Sequence, residues 1–253
     1  MTRDELRRLA AEVAPRRGWD FSRVRDDRDP VPWEYEEVVR RYLRPSDRVL
    51  DVGTGGGERF LALAPSFETG VGVDPDPEMV RTAQENTPAA LAEKVSFVEG
   101  RAAALPAPDT SFDVVLNRHA PVNVAEVMRV LRPGGSFITQ QVGAQNTFNI
   151  TTLFGSGPGM GGAHIAPDQE IPALADAFQE RGYAIISYGT YNVPYYFQDA
   201  ASLLFWMQAV GVPPDFDIER HWQQVDYLLS EYATPRGTET NEHRELLIVR
   251  APG

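Results

Sequence analysis

Val49-Leu-Asp-Val-Gly-Thr-Gly-Gly-Gly-Glu58 runs an apolar segment into a glycine-rich turn and then into a helical pattern with Phe60, Leu61 and Ala64 on its inner side. Glycines let a backbone approach a ligand closely, and the free N–H groups at a helix start can meet a phosphate or carboxylate. A dinucleotide fingerprint needs glycine at the first, third and sixth places; counting from Gly53, Gly55 stands third but Glu58 stands sixth. A P-loop needs Gly-Lys-Ser/Thr after its glycines, and the single lysine, Lys94, is far away. Asp51, immediately before the turn, suits a ligand with an ammonium group rather than a pyrophosphate. An amino acid is such a ligand.

Outward from this turn, short β-type runs alternate with helical ones, the pattern of crossover units on a parallel sheet. The patterning predicts strands near 48–52, 69–73, 94–98, 112–117 and 136–142, with helices near 57–64, 76–86 and 123–131. The second strand, Val71-Gly-Val-Asp74, ends in a carboxylate at the edge where open α/β sheets bind ligands. Its two acceptor oxygens match two vicinal ribose hydroxyls. Met79, one helical turn on, offers a soft apolar face to an adenine ring. Together these residues describe a site for a nucleoside joined to an amino acid.

Before the sheet, Thr2 and Glu5 have capping-box spacing for a short amphipathic helix, and Pro32 opens a second helix with Tyr35, Val38, Val39, Tyr42 and Leu43 on one face. Residues 1–45 therefore read as a helical prefix to a domain over 46–253. Five glycines within 155–162 predict a loop or lid. A helix near 169–181 and strands near 184–193 and 242–250 complete a doubly wound, mostly parallel seven-stranded α/β sheet. Between the last two strands, residues 194–238 form an insertion rich in aromatic residues.

The chain has 253 residues, enough for one large domain. Its net charge of −12 repels polyphosphates and makes nucleic acid a poor partner. No run approaches the ~18 apolar residues of a membrane helix. The absence of cysteine excludes disulfides and thiolate-bound zinc, and the N-terminal stretch lacks an apolar signal core. A cytoplasmic protein is expected.

Over residues 46–142 the chain resembles the class I S-adenosylmethionine-dependent methyltransferases, whose fold is Rossmann-like. Asp51-Val-Gly-Thr-Gly-Gly-Gly57 is similar to the family's first motif, Asp74 to its ribose-binding acid and Met79 to its adenine-contacting position. Phe97-Val-Glu-Gly-Arg-Ala-Ala-Ala-Leu-Pro106, Ser111-Phe-Asp-Val-Val-Leu-Asn117 and Val130-Leu-Arg-Pro-Gly-Gly135 resemble the later motifs in order and spacing. The resemblance implies S-adenosyl-L-methionine as cofactor, held by Asp51, Gly53, Thr54, Gly55, Gly57, Asp74, Met79 and Asn117. The family often has Asp where this chain has Arg101, which cannot accept a hydrogen bond from the adenine amino group. The backbone at Arg101 and Ala102, or Glu99, is the candidate replacement.

His119 follows the fourth strand, where the resemblance places the reactive sulfonium, and its ordinary pKa near 6.5 suits a general base. A histidine in the pocket wall is the structural alternative, and the same two readings apply to His164. Trp33, Tyr195, Tyr196 and Trp206 are candidate substrate contacts, against an ordinary aromatic core. No metal-site spacing is present. The expected reaction is in-line methyl transfer to a small molecule, with no membrane partner. An RNA or protein methyltransferase and a non-catalytic nucleoside-binding module are the alternatives. The letters leave the oligomeric state open.

Overall fold

The computed structural model describes residues 1–13, 18–155 and 166–253. The segment expected to form a loop at 155–162 therefore lies, beyond Gly155, outside the described residues, as does His164. The strands are β1 (Asp26–Arg28), β2 (Arg48–Val52), β3 (Thr69–Asp74), β4 (Val95–Glu99), β5 (Phe112–Arg118), β6 (Leu131–Val142), β7 (Ala184–Phe197), β8 (Ala233–Thr234) and β9 (Gly237–Arg250). They form one sheet in the order β1-β7-β9-β6-β5-β2-β3-β4, with β8 paired to β9. Strands β4, β3, β2, β5 and β6 run parallel, while β9 is antiparallel to both β6 and β7.

Seven of these strands are the expected ones. The two additions, β1 and β8, are three and two residues long and carry no apolar alternation for a sequence pattern to register. β7 also extends to Phe197, so the insertion between strands begins after it rather than at residue 194.

The helices are α1 (Arg3–Glu12), α2 (Tyr35–Tyr42), α3 (Glu58–Leu63), α4 (Pro77–Asn86), α5 (Val124–Val130), α6 (Phe148–Leu153), α7 (Ile171–Gln179), α8 (Ala200–Val210) and α9 (Ile218–Glu231). Their starts follow local chemistry. Thr2 and Glu5 form the capping box of α1, Asp76 accepts the Glu78 N–H ahead of α4, and Asn123 accepts the Glu126 N–H ahead of α5.

Alternation along each strand sends successive side chains to opposite faces. Leu50, Val52, Val115, Phe137, Leu247 and Val249 pack on one face with Val127, Leu174 and Phe178 of α5 and α7. Val49, Val114, Leu116, Ile138 and Ile248 pack on the other with Val38, Val39, Phe60 and Leu63 of α2 and α3. A third cluster joins Leu6 and Ala10 of α1 to Leu203, Leu204, Met207, Val225 and Leu228 of α8 and α9. The prefix and the insertion thus form one helical layer. Its core explains the consecutive Phe205-Trp206-Met207: Phe205 and Met207 are buried, and Trp206 is the partly exposed member between them.

Candidate active site

A cavity of ≈ 1280 Å³ opens over the carboxyl ends of β3, β2, β5 and β6 and reaches across to β9 and β7. Asp51, Gly53, Thr54, Asp74, Asp76 and Met79 line one half. Arg118, His119, Gln140, Tyr191, Tyr195, Trp206, Glu242 and Arg244 line the other. Trp19 and Phe21 of the prefix also line it, and Trp19 lies so close over Gly55 that a Cβ there would meet its ring at 2.3 Å. Phe21 in turn sets its ring edge-on to Phe205 of α8, at 6.0 Å between centroids.

The glycine turn has the geometry its composition demands. Gly53, Gly55 and Gly57 have φ values of +79°, +57° and +77°, in the left-handed region that costs other residues energy. A Cβ on Gly53 would meet that of Ala120 at 2.3 Å. The N–H groups of Gly53 and Thr54 both reach the Val73 carbonyl, which fastens the turn to β3. Asp74 completes the fastening: its Oδ2 accepts the Gly55 N–H at 2.8 Å and its Oδ1 the Asp76 N–H at 3.0 Å. Each oxygen retains a lone pair for a hydroxyl. Burial pushes the Asp51 carboxyl up to about 6, and the Asp74 charge adds to the effect. A cationic ligand beside Asp51 would relieve both.

The residues present fit an amino-acid nucleoside. A side-chain-free turn admits close approach, an acid waits for a cation, and an acid at the neighbouring strand end suits a sugar. Among the described residues no group of three or more His, Asp or Glu is placed to hold a metal ion.

Other candidate residues lie elsewhere. Gly55 and Gly57 shape the turn from behind and are not on the cavity wall. Asn117 is buried, pairs with Val52 in register, and accepts from Thr139 Oγ1 at 3.1 Å and Gln141 Nε2 at 2.7 Å while donating to the Pro121 carbonyl. It ties β5 to β6 rather than facing the cavity. Arg101 and Ala102 are also off the wall, because Arg101 turns back into a bridge with Ala104.

The substrate candidates divide by strand alternation. Tyr195 faces the cavity and donates its hydroxyl to Asp26 Oδ2 at 2.5 Å, whereas Tyr196 points away and stacks under the Arg236 guanidinium at 4.0 Å. Trp33 lines a separate groove of ≈ 390 Å³. Its indole N–H reaches Gln140 Oε1 at 3.0 Å, so it touches the main cavity through that amide. Trp206 lies on the wall.

His119 is on the wall too, in the left-handed region at φ +57°, with its N–H donated to the Gln140 carbonyl. Its Nε2 is buried and, among the described residues, has no hydrogen-bond partner. Burial, then Arg118, Arg244 and Arg59, hold the imidazole well below its usual pKa, which keeps it neutral and able to accept a proton. The sequence reading missed these arginines, together with Gln140 and Glu242. Their scatter over α3, β5, β6 and β9 left no linear motif; the one available signal was that Arg118 precedes His119 at a strand end.

Residues 50–139 match the family model described as a methyltransferase domain. An uncharacterised methyltransferase of Bacillus subtilis (strain 168) is 39% identical over 102 residues, covering 38% of this chain and 40% of that protein. A demethylmenaquinone methyltransferase of Symbiobacterium thermophilum is 35% identical over 135 residues, 49% of this chain and 53% of the other. The matches thus span about half or less of these curated relatives' length. A solved protein of unknown function from Deinococcus radiodurans R1 has the same fold, with a TM-score of 0.60, 19% identity, and coverage of 98% of this chain and 99% of its own.

Proposed function

Since the chain belongs to the class I S-adenosylmethionine-dependent methyltransferase family, we propose that it transfers the methyl group of S-adenosylmethionine to a small-molecule acceptor. The observation that carries this reading is the continuity of the cavity: the glycine turn with Asp51 and Asp74 opens directly into a second half walled by His119, Tyr195 and Trp206. A donor and an acceptor have room to meet there.

On this reading the turn at Gly53 and Thr54 receives the methionine moiety, Asp51 its ammonium, Asp74 the ribose, and Met79 one face of the adenine. The bound cofactor supplies an activated methyl group on a sulfonium, open to in-line displacement. The protein's own residues then align the acceptor and exclude water. Trp19, Phe21 and Trp206 restrict solvent access from the helical layer, and the neutral His119 takes a proton from a hydroxyl or amine acceptor. Residues 46–253 would form the catalytic domain, with residues 1–45 as a prefix that helps close it. Among the described residues no helix is long and apolar enough to cross a membrane, and we place the activity in the cytoplasm.

Incubation with methyl-labelled S-adenosylmethionine and fractionated metabolites, protein and RNA tests the proposal. Label is expected in the small-molecule fraction. Label confined to RNA or protein would move the acceptor to a macromolecule, and tight cofactor binding with no transfer to any fraction would make the chain a binding module.

A further inference from the structure

We propose that the acceptor is an organic anion and that the guanidinium of Arg118 pairs with it. The inference rests on reading the cavity as a methyltransferase site and adds the charge class of its second ligand.

Arg118 lies on the wall at the end of β5, partly buried. Its Nε is sealed from solvent, and among the described residues it has no hydrogen-bond partner and the side chain makes no ion pair. A guanidinium withdrawn from water is costly unless a counter-charge meets it. The Asp51 charge reaches Arg118 from the neighbouring strand, but among the described residues the two form no ion pair, and the other nearby acids are committed elsewhere. Glu36 pairs with Arg59. Glu242 pairs with Arg28 at 2.7 Å and Arg244 at 3.4 Å and accepts the Tyr191 hydroxyl. Asp26 accepts the Tyr195 hydroxyl.

Position assigns the missing anion to the acceptor. Asp51 and Asp74 stand on β2 and β3, while Arg118 is in register with Gln140 on β6, and Arg244 lies one strand further, on β9. Beyond the acids where the cationic cofactor would lie, the cavity wall mixes acids with arginines, and among the described residues Arg118 is the arginine of that wall that pairs with none of the acids. Burial first, and then the Arg59 and Arg244 charges, pull Arg118 down to about 10, so it remains protonated at neutral pH. The unpartnered Nε2 of His119 adjoins it, and Trp206 and Tyr195 supply apolar wall for the body of the molecule. A planar carboxylate matches the guanidinium fork.

The cofactor carries a carboxylate of its own, so the test separates the two sources. Calorimetry first measures S-adenosylhomocysteine binding to the wild-type chain and to the Arg118→Met and Arg118→Lys variants, with thermal melting to establish that each is folded. The S-adenosylhomocysteine-saturated proteins are then titrated with sodium benzoate and with benzamide, its neutral counterpart. The expected result is wild-type preference for benzoate by about tenfold or more, the size of one charge-assisted pair. Arg118→Met should abolish that preference and Arg118→Lys retain part of it, with S-adenosylhomocysteine affinity little changed. Equal binding of benzoate and benzamide, or no binding of benzoate, would overturn the proposal. So would a large loss of S-adenosylhomocysteine affinity in Arg118→Met, which would assign the guanidinium to the cofactor's carboxylate. Failure of the wild-type chain to bind S-adenosylhomocysteine at all would instead defeat the methyltransferase reading on which the proposal stands.

Discussion

The amide of Gly55 donates to Oδ2 of Asp74 at 2.8 Å, so the acid at the end of one strand closes the turn at the end of its neighbour. Asp74→Ala would remove two acceptors at once, leaving the Gly55 and Asp76 N–H groups without their partner. An unsatisfied buried donor costs about 1–3 kcal/mol. The variant should melt several degrees lower and bind S-adenosylmethionine at least about tenfold more weakly. Scanning calorimetry and titration calorimetry measure the two effects; an unchanged melting temperature would show that Asp74 does not brace the turn.

Gly53→Ala combines a φ of +79° with a Cβ contact of 2.3 Å to Ala120. The left-handed conformation alone costs about 1–2 kcal/mol. Adding Ala120→Gly removes the contact but leaves the backbone cost. Urea unfolding should therefore place the double variant between Gly53→Ala and wild type.

The Asp51 carboxyl is raised from 3.8 to about 6, so folding disfavours its charged form. The penalty is absent below the unfolded value and fully present above about 6. Asp51→Asn should thus stabilise the ligand-free protein at pH 7 to 8, with the gain fading toward pH 4, while weakening cofactor binding. Titrations in buffers of different ionisation enthalpy should show proton release on S-adenosylmethionine binding near pH 5 to 6 and none at pH 8.

For His119 the sign is opposite. The folded imidazole is held neutral well below 6.5, whereas the unfolded chain takes up a proton as pH falls through that value. This residue's contribution to stability therefore declines below about pH 6.5. Asparagine tolerates the positive φ, making His119→Asn the suitable variant. If His119 is the base, kcat should fall about 10²-fold or more with cofactor affinity unchanged, and the wild-type pH–rate profile should lack an inflection between 6 and 7. An unchanged kcat would leave the residue as cavity wall.

Arg129 on α5 holds the segment after β4. It donates to the Leu105 carbonyl at 3.0 Å and the Ala107 carbonyl at 2.7 Å, and it pairs with Asp109 and Glu126. That pairing, with the Leu105 N–H bond, draws the Glu126 carboxyl down to about 2. Arg129→Met should cost about 1–3 kcal/mol, read as a lowered urea midpoint, and increase amide exchange at Leu105.

The expected central strands coincide with the observed ones to within a residue or so at most ends, because both core faces are written into alternations such as Val49/Leu50 and Val114/Val115. The glycine turn was equally legible, since its backbone angles exclude most side chains. Side-chain direction was harder to read. Tyr195 and Tyr196 are equivalent as letters, yet one faces the cavity and the other Arg236. Arg101 and Ala102 occupy the expected stretch of chain, but the turn back to Ala104 takes them off the wall.

The sequence by itself determined the alternating α/β core and the acids around the glycine turn, because strand periodicity, helix caps and positive-φ glycines are enforced by neighbours along the chain. Tertiary structure alone decided that the prefix and the insertion share a core, that Asp74 braces Gly55, and that four arginines from β1, α3, β5 and β9 converge, one of them with no ion pair among the described residues. Those relationships join residues tens to hundreds of positions apart, and the charge a cavity presents depends on which side chains meet there and which remain without a partner.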